Sequence, residues 1–181
     1  MVYILLGKGF EEIEALTTID LLRRVDIKIS SVSLTDDLMV EGGHGIHVKA
    51  DITFDKIDFD ELEMLVIPGG LGGVKSIGDK PAAMDLILSV RNVRKRLAAI
   101  CAAPALLAKL DILKGLSVVC HPSVNNEILL AGARLLHNKQ TANDQNLITG
   151  KAAGSSQEFA LEIIAELLDR ETSEKLRFTL T

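Results

Sequence analysis

The sequence predicts an α/β sandwich around a mostly parallel sheet, on three observations. Short apolar runs without polar alternation (Val2–Leu6, Met64–Ile67 and Leu97–Ile100) read as strands buried on both faces. The segments between them carry apolar residues at helical spacing, so strands and helices alternate along the chain. The 181 residues, 48% hydrophobic and 25% charged, suffice for one sizeable core, with no linker, repeat or low-complexity stretch. A single domain over residues 1–181 is expected.

Taken in order, Val2–Leu6 is a buried strand ending at Gly7. Glu11–Val25 follows as a helix, with Ala15, Leu16, Ile19 and Leu22 at helical spacing and Arg23 and Arg24 at the end that favours cations. Ile27–Leu34 is a second strand, and Val40–Ile52 a hairpin around Gly42-Gly-His-Gly45. Met64–Ile67 is stopped by Pro68-Gly69-Gly70. Pro81–Val93 is a helix with Ala83, Leu86, Ile87 and Val90 on one face. The strand before Cys101 then leads into a helix opened by Pro104. Leu116–Cys120 reads as a strand before His121-Pro122, and Asn125–Ala131 as a helix. Arg134–Leu136 and Asn146–Thr149 are short strands around a polar turn. Ser155–Asp169 is a strong helix with Phe159, Ile163 and Leu167 in one row, and Glu171–Phe178 a last short one.

Charge and cysteine usage exclude several classes. Twenty basic against 25 acidic residues leave a net charge of −5 and no basic stripe, which argues against nucleic acid or an anionic membrane as partner. The two cysteines show no CxxC, hence neither a disulfide framework nor zinc-ribbon spacing. Val2–Leu6 is too short for a signal peptide or a membrane span. A reducing cytoplasm is the expected compartment, where Cys101 stays a free thiol.

Cys101 is the leading candidate for chemistry. It stands at a strand-to-helix turn, where unpaired amides stabilise a thiolate, the reactive form of cysteine. The arrangement is like a nucleophile elbow. An inert buried thiol is the commoner fate of a lone cysteine; the turn context favours the reactive one. In open parallel sheets the site lies beyond the carboxyl ends of the strands. Gly7-Lys-Gly9, Pro68-Gly69-Gly70, Cys101 and His121 all lie at such ends.

Glu14 flanks the apolar stripe of the first helix, whereas Glu12 reads as solvent-facing. A partly buried Glu14 would be held protonated near neutrality and able to donate to a thiolate or pass a proton to substrate. The plainer alternative is an acid in a first helical turn, favoured by the macrodipole. An amide at Gly69-Gly70, with that of Ala102, can form an oxyanion hole, though Pro-Gly-Gly suits a plain turn equally. His121 is a candidate base or orienting partner for Cys101, although a lone His is more often structural. Cys120 beside His121 has poor ligand spacing, so no metal is expected. Gly42, Gly43 and Gly45 make no phosphate loop, because no helix and no GK[ST] follow.

Six segments occur in a telling order: Gly9-Phe-Glu-Glu-Ile-Glu-Ala15, Thr18-Ile-Asp-Leu-Leu-Arg-Arg24, Val66-Ile-Pro-Gly-Gly70, Ala98-Ala-Ile-Cys-Ala-Ala-Pro104, His121-Pro122 and Glu158-Phe-Ala160. Together they resemble the ThiJ/PfpI superfamily, in its Parkinsonism-associated deglycase branch, over nearly the whole chain. The resemblance implies a flavodoxin-like three-layer sandwich, a homodimer and no cofactor. It implies a nucleophilic Cys101 at a strained elbow, held by a protonated Glu14, with oxyanion-binding amides at Gly70 and Ala102 and His121 nearby. It also implies action on methylglyoxal or on glycated protein adducts, or a redox-sensing or chaperone role in which Cys101 is oxidised to the sulfinate. Arg24 matches a position that binds anions in some relatives. Two departures are visible. Gly150-Lys-Ala-Ala-Gly154 replaces Ser-Arg-Gly-Pro-Gly, and His44 aligns where some relatives carry an anion-binding Arg. Ala102 stands where the protease-like branch has a His, and the glycines and His-x-Glu of glutamine amidotransferases are missing, so both readings fall.

Overall fold

The computed structural model describes residues 1–180. Eleven strands and seven helices follow one another as β1 (Val2–Leu6), α1 (Glu12–Arg24), β2 (Ile29–Ser33), β3 (Met39–Glu41), β4 (His47–Lys49), β5 (Ile52–Thr53), β6 (Met64–Ile67), α2 (Leu71–Gly78), α3 (Pro81–Asn92), β7 (Arg96–Ile100), α4 (Pro104–Lys109), β8 (Ser117–Val118), α5 (Asn125–Leu130), β9 (Arg134–Leu135), β10 (Thr141–Asp144), β11 (Leu147–Gly150), α6 (Ser156–Leu167) and α7 (Arg170–Thr179). Seven strands form the main sheet in the order β10-β11-β7-β6-β1-β2-β5, and every pairing in it is parallel except β10 with β11. This is the mostly parallel, helix-flanked sheet that the alternation of elements predicts.

The apolar strands explain the layering. Leu5, Leu65, Ile67, Leu97 and Ala99 face one side, where they pack with Ile77 of α2, Ile87 of α3 and Leu106 of α4. Ile4, Leu6, Val66, Ala98 and Ile100 face the other, against Leu22 of α1 and Phe159 and Ile163 of α6. Successive side chains point to opposite faces, so one continuous apolar run feeds two cores. From β1 the chain adds β2 on one side and, later, β6 on the other. That reversal opens a crevice beyond the carboxyl ends of β1 and β6, where open α/β sheets place their sites.

Three local features depart from the sequence expectation. Helix α2, rich in glycine, follows Gly70 where only a turn was expected. Its glycines are there for contact: a Cβ at Gly73 would stand 2.7 Å from the Phe10 Cα, and one at Gly72 2.9 Å from the Gly9 Cα. Tertiary approach overrides helix propensity here. The strand expected over Leu116–Cys120 is reduced to β8, which pairs with β9 in a separate two-stranded sheet. His121 therefore follows a strand outside the main sheet. The polar turn lies between β10, which was not anticipated, and β11. Its residues Gln145 and Asn146 have φ of 51° and 64°, as a two-residue type I′ hairpin requires.

Candidate active site

Cys101 follows β7 with φ of 64°, in the left-handed region that side chains avoid. Two hydrogen bonds hold it there. Its N–H donates to Gly150 O at 3.0 Å, and its carbonyl accepts from the His121 N–H at 2.8 Å. β11 and the segment after β8 thus brace the elbow through their backbones.

Glu14, in the first turn of α1, is fully buried beneath it. Its Oε2 accepts from the Gly69 N–H at 2.6 Å, while Oε1 is buried without a hydrogen-bond partner. Its carboxyl group meets the Cys101 thiol side chain to side chain, and the amides of Ala102 and Gly70 point at the same sulfur. The fold thus brings together Cys101, Glu14, Gly70 and Ala102 as expected. Gly70 has φ of 83°, and a Cβ there would lie 2.4 Å from Gly9 O, so the turn that aims its amide admits only glycine.

Gly69 lies between the acid and the thiol. A Cβ there would come 2.6 Å from Glu14 Oε2 and 2.7 Å from Cys101 Cβ. Gly69→Ala is expected to destabilise the fold by about 1–3 kcal/mol, the usual cost of overpacking, and to separate the pair. Chemical denaturation of the variant, with thiol alkylation in parallel, checks both; an unchanged midpoint counts against this packing.

The electrostatics correct one expectation. The elbow alone suggests a thiol that ionises easily. Instead burial, then the charge and hydrogen bond of Glu14, push Cys101 up to about 12, against the pull of the Ala102 and Gly70 amides. The amides are visible in the local sequence, whereas the burial and the facing carboxylate arise only in the fold. The same burial raises Glu14 from 4.5 to about 7, with Glu11 adding to the rise. Two touching groups that both resist charge titrate as a unit. The pair holds two protons below about pH 7 and one above it.

Other sequence candidates fall elsewhere. The His121 ring bonds Ser123 Oγ through Nδ1 at 2.8 Å, and the residue meets Cys101 through its backbone N–H. Arg24 ends α1, ten residues and hence about 15 Å of helix from Glu14, and pairs with Asp20 at 2.8 Å. Its place at that end of α1, paired with Asp20, sets it apart from the Cys101–Glu14 pair. Lys151 binds Gln140 O through its N–H at 2.9 Å and His137 O through Nζ at 3.3 Å, while Ala153–Ser155 makes a short 3₁₀ turn into α6.

Sequence reasoning missed Glu12, which is buried rather than solvent-facing. Its Oε1 accepts from the His44 N–H at 2.7 Å, and its Oε2 meets His44 Nδ1 at 2.8 Å. Burial opposes the Glu12 charge, but the His44 bonds outweigh it and hold the carboxyl low; reciprocally, Glu12 and then Glu11 push His44 up. Its position three residues before Ala15 continues the row of Ala15, Ile19 and Leu22, a signal of burial in the spacing itself; the β3–β4 loop that covers it is distant in sequence.

Comparison with known proteins places the whole fold among solved structures and a known family. The DJ-1/PfpI family matches residues 1–166. The chain is 33% identical over 168 residues to the protein dj-1beta of Drosophila melanogaster, spanning 93% of this chain and 89% of that one. The crystal structure of Drosophila DJ-1beta superposes with a TM-score of 0.93 at 31% identity, over 99% of this chain and 96% of that one. The oxidized DJ-1 of Toxoplasma gondii does so with a TM-score of 0.91 at 28% identity, again over 99% and 96%. With the family model matching residues 1–166 and a relative 33% identical over nearly the full length of both chains, this chain belongs to the DJ-1/PfpI family.

Proposed function

We propose that the chain is a cysteine-dependent, cofactor-free enzyme acting on small reactive aldehydes such as methylglyoxal, or on their early adducts with amines and thiols. The convergence of Glu14 and the amides of Gly70 and Ala102 on the Cys101 sulfur carries this reading. The Cys101 sulfur adds to the aldehyde carbon as a hemithioacetal; ionised Glu14 takes the thiol proton and passes it to the new oxygen, which the two amides hold, and is left free to act again. Glu14 takes the proton from that carbon and returns it to the neighbouring ketone carbon. The aldehyde carbon is thereby oxidised to a thioester and the ketone reduced to an alcohol, with no external oxidant. Water then cleaves the thioester, giving lactate and free thiol. Methylglyoxal consumption with D- or L-lactate formation tests it. Wild type should turn over and Cys101→Ser should not; lactate formation at equal rates in both overturns it.

The same surroundings support a redox-sensing role, and the structure of one matched relative, the DJ-1 of Toxoplasma gondii, is of its oxidized form. Peptide mass spectrometry after mild peroxide should find two added oxygens on Cys101 and Cys120 largely reduced. Cys120 is 4% exposed and belongs to the core on the opposite face of the sheet. A Cys101–Cys120 disulfide would defeat this expectation.

A homodimer in a reducing cytoplasm fits both roles. Members of this family are often dimeric, and α1 leaves Ile13 and Leu16 exposed, as the β3–β4 loop does Ile46. Light scattering should give twice the 19.6 kDa chain mass. Among the described residues no helix is long and apolar enough to cross a membrane.

A further inference from the structure

A second group of chemically active side chains lies beside the Cys101 site and takes no part in the reaction above. Glu11 and Glu12 open α1, and His44 comes down on them from the β3–β4 loop, 32 residues further on. One oxygen of each carboxylate and Nδ1 of the imidazole lie within 4.8 Å of one another. Nδ1 is 2.8 Å from Glu12 Oε2 and 3.9 Å from Glu11 Oε2.

These spacings suit a metal ion. Zinc binds nitrogen and oxygen at roughly 2.0–2.2 Å, which puts tetrahedral ligands about 3.4 Å apart. The two measured separations bracket that value. Two carboxylates and a neutral imidazole carry two negative charges, which a divalent ion offsets. Pairing with a protonated His44 would serve Glu12 and leave Glu11 underused, because among the described residues His44, at 3.9 Å, is the one cation within 4 Å of the Glu11 carboxylate.

The ligands are also held in place. The Glu11 N–H donates to Gly69 O at 3.0 Å, and Glu12 is buried with Oε1 fixed by the His44 N–H. The loop that carries His44 is tied down by the Gly43 N–H to Phe10 O at 2.8 Å. It passes so close that a Cβ at Gly42 would fall 2.3 Å from Glu12 Oε1. A cleft of about 600 Å³, lined by Glu11, His44 and Gly70 among others, opens at the cluster. Water or a small ligand has room there to complete the coordination.

We propose that Glu11, Glu12 and His44 form a binding site for a divalent transition-metal ion of the zinc type, with the remaining coordination positions open to the cleft that borders Gly70. The ligand set, two oxygens and one imidazole nitrogen, fits zinc, cobalt or iron(II) better than calcium or magnesium, which prefer oxygen alone.

Cobalt(II) is the probe, because it reports its ligands by colour. Protein stripped with a chelator is titrated with cobalt chloride, and binding is followed by visible absorption and calorimetry. The expected result is one equivalent bound, with visible d–d bands and no near-ultraviolet sulfur-to-metal band, equally in wild type and in Cys101→Ser. His44→Ala and Glu11→Gln should each weaken binding by about tenfold or more. His44 is exposed and Glu11 half-buried, and circular dichroism confirms that the variants fold. Three results overturn the proposal: no binding to wild type at 100 micromolar cobalt (a concentration chosen for the assay, on the order of the weakest useful site), binding unchanged in His44→Ala, or binding lost in Cys101→Ser. The last would place the ion on the thiol instead.

Discussion

Glu14→Gln is expected to lower aldehyde turnover by about 10²–10⁴-fold while making the Cys101 thiol easier to ionise. The two effects run in opposite directions because Glu14 does two things. As an acid–base group it moves the substrate proton, which an amide cannot do. As a buried carboxylate it opposes thiolate formation: its charge and hydrogen bond are the largest causes, after burial, that push Cys101 up to about 12. Glutamine removes that charge and leaves the Ala102 and Gly70 amides in place. The pH dependence of iodoacetamide alkylation should therefore shift downward in the variant, as lactate formation collapses. In wild type the pair loses its first proton near pH 7, so turnover should climb through that value and then level. Turnover retained in Glu14→Gln removes the acid–base role. Turnover lost together with a thiol that ionises less readily would mean that the substitution has only disrupted the site.

Stability against pH gives the second large effect. The Glu14 pKa is about 7 in the fold against an ordinary 4.5. A raised folded pKa means that the native state keeps its proton longer than the unfolded chain does. The associated stability is complete below pH 4.5 and is lost as pH rises through about 7. A shift of this size corresponds to about 3 kcal/mol at 1.36 kcal/mol per unit. Urea denaturation of wild type and Glu14→Gln at pH 4.5, 6, 7 and 8 isolates it, since contributions from other groups cancel in the difference. The stability of the variant relative to wild type should rise with pH across this window and level above it. A difference that stays flat, or that falls, would show that Glu14 is ionised in the fold at acid pH.

How much of this was legible in the residues depends on the range of the interaction concerned. The strands β1, β6 and β7, the helices α1, α3 and α6, and the parallel character of the sheet follow from apolar runs and helical spacing, which record burial locally. Cys101 at an elbow was legible for the same reason: a strand, small residues and a proline stand next to one another in the chain. Gly70 and Ala102 joined it through the rule that sites gather at carboxyl ends of parallel strands. Helix α2 was hidden, because its glycines answer to the close approach of residues 7–10 and not to helix propensity. Hairpin β10–β11 was hidden in a polar stretch whose pairing depends on two residues with positive φ.

The sequence by itself determined the fold class and the family, and it singled out Cys101 and Glu14 as the candidate pair. Only the tertiary structure decided their protonation, because burial and the facing of two acids through space raise both pKa values and no local pattern encodes that sum. Only it showed Gly69 wedged between them, the His121 ring turned to Ser123, and Arg24 at the far end of α1. The junction of Glu11 and Glu12 with His44 belongs to the same class. Metal-ligand spacing was absent from the chain, and the contact exists because the β3–β4 loop folds over the start of a helix 32 residues away. Local periodicity reports which side of an element is buried; what it is buried against is settled by chain segments that meet in space alone.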